Sequence, residues 1–169
     1  MRDDSAATAI EFGILALPFF TIIFAIIETA MVFFAGQILD SAVNDSARRI
    51  RTREAQTAGE TEADYRAAIC EGLYGLFDCD DNDKLRIKVS VVTSFTGANP
   101  TPPITCNADN TSCAWSLAQS YNPGVASSVV MVEAYYKWAT IVSLPWFDLT
   151  QLPDGTRLLA AVRVFRNEP

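Results

Sequence analysis

Residues 12–39 form an apolar run that contains a single charged side chain, Glu28. A helix needs about 20 such residues to cross a bilayer, so the run predicts a membrane anchor. Glu11 stands immediately before the run, and Phe12 opens it. Because a carboxylate at the edge of hydrocarbon is costly unless it is paired, we expect Glu11 to meet a cation at the same depth.

The apolar run continues into an amphipathic pattern. Beyond Leu39, apolar side chains recur every three or four residues with charged side chains between them, as in a helix with one buried face. From Ala7 to Ala55 the only proline is Pro18, which removes one backbone hydrogen bond and predicts a kink. We therefore expect one long helix over residues 7–55, half in a membrane and half packed on a domain.

The remaining residues, 56–169, have the composition of one small domain. Residues 56–61 break the long helix, and apolar spacing predicts a second helix over Glu62–Phe77. Two pairs have the spacing of a helix capping box: Thr57 with Glu60, and Thr61 with Asp64.

Later segments alternate apolar and polar residues, which is typical of half-buried strands. The strands follow the helices and their connections are short, so the fold class is predicted to be α+β, with the long helix packed on a small antiparallel β-sheet. The expected strands are Arg86–Phe95, Ser128–Trp138 and Arg157–Arg166, with a small hairpin formed by Cys106 and Ala114–Leu117.

Four cysteines lie after the anchor: Cys70, Cys79, Cys106 and Cys113. The chain has no histidine, and neither close pair has the C-x-x-C spacing, so a zinc site is disfavoured and disulfides in an oxidising compartment are expected. Of the three possible connectivities, we favour Cys70–Cys79 with Cys106–Cys113, because both bonds close short loops.

An acidic segment follows the second helix. Asp78, Asp80 and Asn82 match the first alternate ligands of a calcium-binding EF-hand loop, but Asp83 stands where that loop needs glycine and Val89 where it needs glutamate. A solvated turn is therefore the better interpretation, and no metal or cofactor is predicted.

Charge and composition narrow the function further. The net charge is −7, and no basic patch interleaved with aromatic residues is present, which argues against nucleic acid as a partner. Without histidine, no nucleophile can be activated by an imidazole base, and there is no glycine-rich phosphate loop. The sequence therefore predicts no enzyme.

The N-terminal residues 2–18, RDDSAATAIEFGILALP, resemble the N-terminus of TadE-like pseudopilins (minor pilins) of tight adherence (Tad/Flp) pili, which are relatives of type IV pilins. The resemblance covers about residues 1–50, and the last residues, 159–169, also resemble the close of these proteins. It implies a leader over residues 1–6 and cleavage by a prepilin peptidase between Ala6 and Ala7, which makes Glu11 the fifth mature residue.

The resemblance also implies partners: a second Tad pseudopilin, the major Flp-type pilin and the inner-membrane assembly platform. Cleavage creates an α-ammonium, which on one subunit could pair with Glu11 of a neighbour and dictate the register between subunits. Glu28 is either a second register contact or a group near the outer interface with little role. Trp146 and Phe147 belong to an apolar loop that either lines the core or offers a partner surface.

Orientation is where two signals disagree. Arg48, Arg49, Arg51 and Arg53 follow the anchor and only Arg2 precedes it, which by the positive-inside rule would place the domain in the cytoplasm. The cysteines favour the periplasm, and we expect a single-pass inner-membrane protein with a periplasmic domain. The rival hypothesis is an unprocessed, membrane-anchored periplasmic binding or sensor domain.

Overall fold

The computed structural model describes residues 4–144 and 146–169, with side chains from Ile10 onward. Its first element is a single helix of 48 residues, α1 (Asp4–Arg51), which is about 72 Å long at 1.5 Å per residue. Pro18 lies inside α1, and the helix is assigned without a break on either side of it.

The long helix ends four residues earlier than the sequence pattern predicts. Arg53 adopts a left-handed conformation with φ of 65°, which stops α1 and starts a separate short helix, α2 (Glu54–Ala58). Gly59, also left-handed, closes α2, and the amide of Glu60 donates to the carbonyl of Ala55 at 3.0 Å, as in a Schellman motif. The expectation of one helix over residues 7–55 is therefore wrong at its C-terminal end.

The next helix, α3 (Glu62–Gly72), begins with a complete capping box between Thr61 and Asp64. This confirms the second of the two pairs that the sequence offered. The helix is shorter than predicted, and in the turns that follow it Phe77 is buried while Leu76 is exposed.

The strands form one main sheet with the order β4-β1-β5-β8, together with two small hairpins, β2–β3 and β6–β7. The pairs β1–β5 and β5–β8 are antiparallel, whereas the two-residue edge strand β4 pairs with β1 in parallel. The α+β prediction is confirmed, with this one parallel pair as the exception. The strands are β1 (Leu85–Val92), β2 (Ile104–Cys106), β3 (Cys113–Trp115), β4 (Ser120–Tyr121), β5 (Val129–Ala139), β6 (Ser143–Leu144), β7 (Phe147–Asp148) and β8 (Thr156–Arg166).

Strand β5 is central, and its first eight residues are buried on both faces. On one face, Val130, Val132 and Ala134 share a buried cluster with α1 and α3. Over the other face lies the Trp115 ring of β3, with its centroid 5.5 Å from Lys137 Nζ. The hairpin therefore covers, near Lys137, part of the face that alternation alone would leave to solvent.

The second half of α1 packs on α3 and the sheet. Its buried residues recur at helical spacing from Val32 to Ile50, as the amphipathic pattern predicts. Gly72 of α3 comes so close to Ala42 that a Cβ added there would lie 2.9 Å from the Ala42 Cβ. The two helices therefore need a glycine at their contact.

Both disulfides have the connectivity that short loop closure favours. Cys70–Cys79 joins α3 to the segment before β1, and Cys106–Cys113 closes the β2–β3 hairpin. Arg66 reinforces the first link, because its guanidinium donates to the Cys79 carbonyl at 2.7 Å.

The acidic segment is a turn whose carboxylates have protein partners. Lys84 Nζ lies 2.8 Å from an oxygen of Asp78, and the Asp83 amide donates to Asp81 at 2.8 Å. Among the described residues, no group of three histidine, cysteine, aspartate or glutamate side chains could hold a metal ion.

Candidate membrane and assembly interface

Helix α1 has two lengths that differ in burial. Its large apolar side chains from Ile10 to Ile27 are exposed except for the half-buried Ile23, and Leu17 for example is exposed to 73% of its surface. From Glu28 onward one face is buried by the domain, and Leu39 is 0% exposed. Within the described residues, α1 is the one helix long and apolar enough to cross a membrane.

Two carboxylates lie at the ends of the part of α1 that does not contact the domain, which we call its free length. Glu11 and Glu28 are 17 residues apart, about 26 Å along the axis, and the sequence between them has no charge. Glu11 and Phe12 are exposed, and no side chain between Ile10 and Leu144 or after residue 145 forms an ion pair with Glu11. Glu11 is therefore open to a partner from another molecule.

The predicted processing site lies at the start of α1. Ala6 and Ala7 are helical, but their side chains are outside the described part of the chain, as are residues 1–3 of the predicted leader. Cleavage between Ala6 and Ala7 stays a prediction.

The threonine hydroxyls of the apolar run are satisfied by the helix itself. The hydroxyl of Thr21 donates to the Leu17 carbonyl at 2.6 Å, and that of Thr29 donates to the Ala25 carbonyl at 2.8 Å. Pro18 lacks an amide, which leaves the carbonyl four residues earlier without its usual donor. The predicted kink at Pro18 remains untested.

Glu28 has a role that neither sequence interpretation included. Its side chain is 5% exposed, and its Oε1 accepts a hydrogen bond from the amide of Ile141 at 3.0 Å. Ile141 follows β5 and is 113 positions away in the sequence. Glu28 thus joins the helix to the β5–β6 loop at the point where the domain begins.

Trp146 and Phe147 lie at the tip of the β6–β7 hairpin. Trp146 is 66% exposed and Phe147 is half-buried, so Trp146 does not line the core. Together with one face of α1 they border an open apolar groove of about 540 Å³. The helix side of the groove consists of Ile22, Ala25, Ile26, Thr29, Ala30 and Phe33.

The C-terminal residues of the chain hold the C-terminal part of α1 in place. Arg163 of β8 forms an ion pair with Asp40 at 2.5 Å, and the amide of Glu168 donates to the Arg51 carbonyl at 2.9 Å. Asn167 is buried, and its amide nitrogen donates to the Pro123 and Val125 carbonyls. Sequence reasoning missed these residues because their partners lie more than forty positions away.

Several titrating groups of the domain are shifted by local contacts. The backbone amide and hydroxyl of Thr61 lower the pKa of the Asp64 carboxyl, and the ammonium of Lys84 lowers the pKa of Asp78. Burial, followed by the charge of Glu133, raises the pKa of Tyr135 to about 12. Glu133 is fully buried, accepts from the Tyr135 hydroxyl at 3.1 Å and lies 3.8 Å from Lys88 Nζ.

Comparison with known proteins supports the interpretation of the N-terminal helix. Residues 6–48, about a quarter of the chain, match the family model described as TadE-like protein. No curated protein and no solved structure gives a significant match. The matched segment contains Glu11, Pro18 and Glu28 and ends within the packed half of α1, so this part of the helix is similar to that of TadE-like proteins.

Proposed function

We propose that this chain is a pseudopilin (minor pilin) of a tight adherence pilus, processed by a prepilin peptidase and assembled through α1. The observation that carries the proposal is the exposed apolar length of α1, with the exposed Glu11 at its base, inside the segment that matches TadE-like proteins. A helix of this kind is a structural part, and the proposal assigns no catalysis to the chain.

The membrane-embedded length is the part of α1 that is free of the domain. After cleavage at Ala7, residues 7–27 would span about 32 Å, close to the 30 Å of a bilayer core. From Glu28 onward one face of α1 contacts the domain, so only the first part of the run 12–39 can be surrounded by lipid. The proposed boundary lies about twelve residues before the one that the charge pattern indicates.

The domain is assigned to the periplasm. Its four cysteines are all in disulfide bonds, which persist in oxidising compartments and are rare in the cytosol. The four arginines near the end of α1 are about 30 Å or more beyond Glu28, outside the region where loop charge decides orientation most strongly.

Assembly is directed by Glu11. In the membrane, its carboxylate would pair with the α-ammonium of Ala7 on a neighbouring subunit, either the second pseudopilin or the major pilin. Stranding one member of a buried ion pair costs about 3–5 kcal/mol, so subunits would be held at the axial offset that pairs the two charges.

Processing gives the direct test of this function. We expect the protein, expressed with its prepilin peptidase, to lose residues 1–6 by intact-mass measurement, and to keep them when the peptidase is inactive. Ala6→Phe should block cleavage, because a bulky side chain would not fit a subsite that accepts alanine, whereas Ser5→Ala should leave it unchanged. Recovery of intact Met1 in assembled material would contradict the proposal and favour an unprocessed, anchored domain.

A further inference from the structure

The segment between β5 and β7 presents exposed apolar side chains beside the free length of α1. Ile141 is 89% exposed and Trp146 is 66% exposed. Single exposed apolar residues are common on proteins, but Trp146 borders a larger apolar surface, and Ile141 is joined to the same helix through Glu28. The groove beside Trp146 and Phe147 is continuous with the helix face from Ile22 to Phe33.

The attachment of this segment to α1 is specific. The amide of Ile141 donates to the Glu28 carboxylate at 3.0 Å, and Trp146 and Phe147 face the helix across the groove. Because Glu28 marks the level at which the domain starts, the segment is held at the height where α1 would leave the bilayer.

We propose that Ile141, Trp146 and Phe147 form a second membrane contact that lies in the headgroup–acyl boundary, with lipid acyl chains filling the groove. The inference rests on the proposed membrane placement of α1. Two features favour lipid as the occupant. The lower wall of the groove, Ile22 to Ile26, belongs to the length of α1 assigned to the bilayer, and tryptophan is enriched at membrane–water interfaces.

The surroundings of the tryptophan side chains also favour lipid as the medium around Trp146. Trp115 is half-buried and donates its indole N–H to the Asp83 carbonyl at 2.7 Å, and Trp138 packs against Phe77. Within residues 10–144 and 146–169, no acceptor is assigned to the indole N–H of Trp146. An interfacial position would give it lipid carbonyl or water oxygens while the ring stays in an apolar medium.

This second contact would determine how the domain stands on the membrane. A single helix leaves the domain free to rotate about α1 and to change its height above the lipid. With Glu28 holding the segment, α1 and the Trp146 loop form two points of attachment. The domain would then present one defined side to a partner subunit at the membrane surface.

Tryptophan fluorescence of the full chain in nanodiscs tests the proposal. The nanodiscs contain phosphatidylcholine and phosphatidylglycerol, with bromine on the acyl chains near either the carbonyl end or the methyl end. We expect lipid brominated near the carbonyl end to quench part of the emission, and Trp146→Phe to remove most of that quenched part. Trp115→Phe is the matched control, and the quenched part should persist in it.

Two substitutions at Glu28 test the attachment. Glu28→Gln keeps an oxygen that accepts from the Ile141 amide, so quenching of Trp146 should stay near the wild-type value. Glu28→Ala removes the acceptor, and the quenched part should fall. Equal loss in both variants would show that charge, and not the hydrogen bond, holds the segment.

Other outcomes would overturn the inference separately from the proposed function. If the chain enters nanodiscs but Trp146→Phe leaves the quenched emission unchanged, the anchor stands and the loop contact is wrong. If Trp146 is shielded only when two copies share a nanodisc, the groove binds a second copy. If the chain does not enter nanodiscs at all, the membrane placement of α1 fails as well.

Discussion

The two parts of α1 differ in what surrounds them: one is free of the domain, and the other is packed on it. Residues 12–27 carry no charge, and most of their large apolar side chains are exposed. From Glu28 to Arg51 one face of the helix is buried by the domain, while Met31, Phe33 and Phe34 stay exposed outside that face. Beyond Leu39 the apolar residues recur on one face only, because a helix packed on a domain in water needs a polar face and a helix in lipid does not.

The boundary between the two lengths is marked by a polar contact. Glu28 would be costly in lipid, and its hydrogen bond to Ile141 offsets part of the cost of its removal from water. The apolar run continues past this point to Leu39, so the boundary proposed at Glu28 lies before the one that hydropathy indicates. Burial by the domain accounts for Val32, Ala35 and Leu39 in this added stretch, whereas Met31, Phe33 and Phe34 are exposed.

Truncation of matched leucines should separate the two lengths most strongly. We expect Leu39→Ala to lower the free energy of unfolding of the domain by about 3 kcal/mol, since it leaves a cavity in a fully buried site. Leu17→Ala, on the exposed length, should leave it unchanged. Urea unfolding of the detergent-solubilised chain, followed by near-UV circular dichroism, measures both. Equal destabilisation would mean that the exposed length also packs on the domain.

Removal of one disulfide should give the next largest loss of stability. Cys70–Cys79 closes a loop of nine residues, and its replacement by two serines should cost about 2.5 kcal/mol through the entropy of the unfolded chain. The loss should be confined to the domain, with the helicity of α1 in detergent preserved. In the native chain, all four cysteines should resist alkylation until reductant is added; free thiols in native material would contradict the periplasmic assignment.

The ion pair between α1 and the tail should contribute less to the stability of the domain. Asp40 and Arg163 are both partly exposed, so we expect Asp40→Asn to destabilise the domain by about 1 kcal/mol or less. Asp45→Asn on the same helix, where no ion pair forms within the described residues, is the control. High salt should reduce the difference between the two variants, and an unchanged difference would exclude a mainly electrostatic origin.

A small acid-dependent effect should come from the cap of α3. Thr61 lowers the pKa of Asp64, so the carboxylate stabilises the fold above its ordinary pKa near 3.9, and this is lost as the pH falls through the lowered value. Asp64→Asn should therefore make the melting temperature fall less steeply on acidification below about pH 4. Asp109→Asn, on the exposed hairpin turn, should keep the wild-type slope.

Prediction from the sequence was most accurate where apolar residues recur regularly along one face of an element. Strands β5 and β8 begin and end within one residue of their expected bounds, because long alternation leaves little choice of register. The end of α1 was missed because Arg53 takes a left-handed conformation that no glycine or proline announces. The parallel pairing of β4 was missed because two residues carry no pattern.

In the candidate site, too, some features are visible in the sequence and others are not. Glu11 is visible in the sequence because a carboxylate interrupts an apolar pattern at its edge. Glu28 is equally visible, but its partner is a backbone amide that any residue at position 141 would supply. Sequence patterns identify unusual side chains and do not report which distant backbone group meets them.

The most direct test of the account is assembly of a chain that carries Glu11→Gln. The two side chains are nearly the same size, so membrane insertion and processing should be unchanged. Only the charge is lost, and with it the pair with a neighbour's α-ammonium, which is worth about 3–5 kcal/mol if buried, compared with 0–1 kcal/mol at an exposed surface. We expect recovery of this subunit with its partner pseudopilin, and the number of pili, to fall sharply. Normal assembly with glutamine at position 11 would contradict the account.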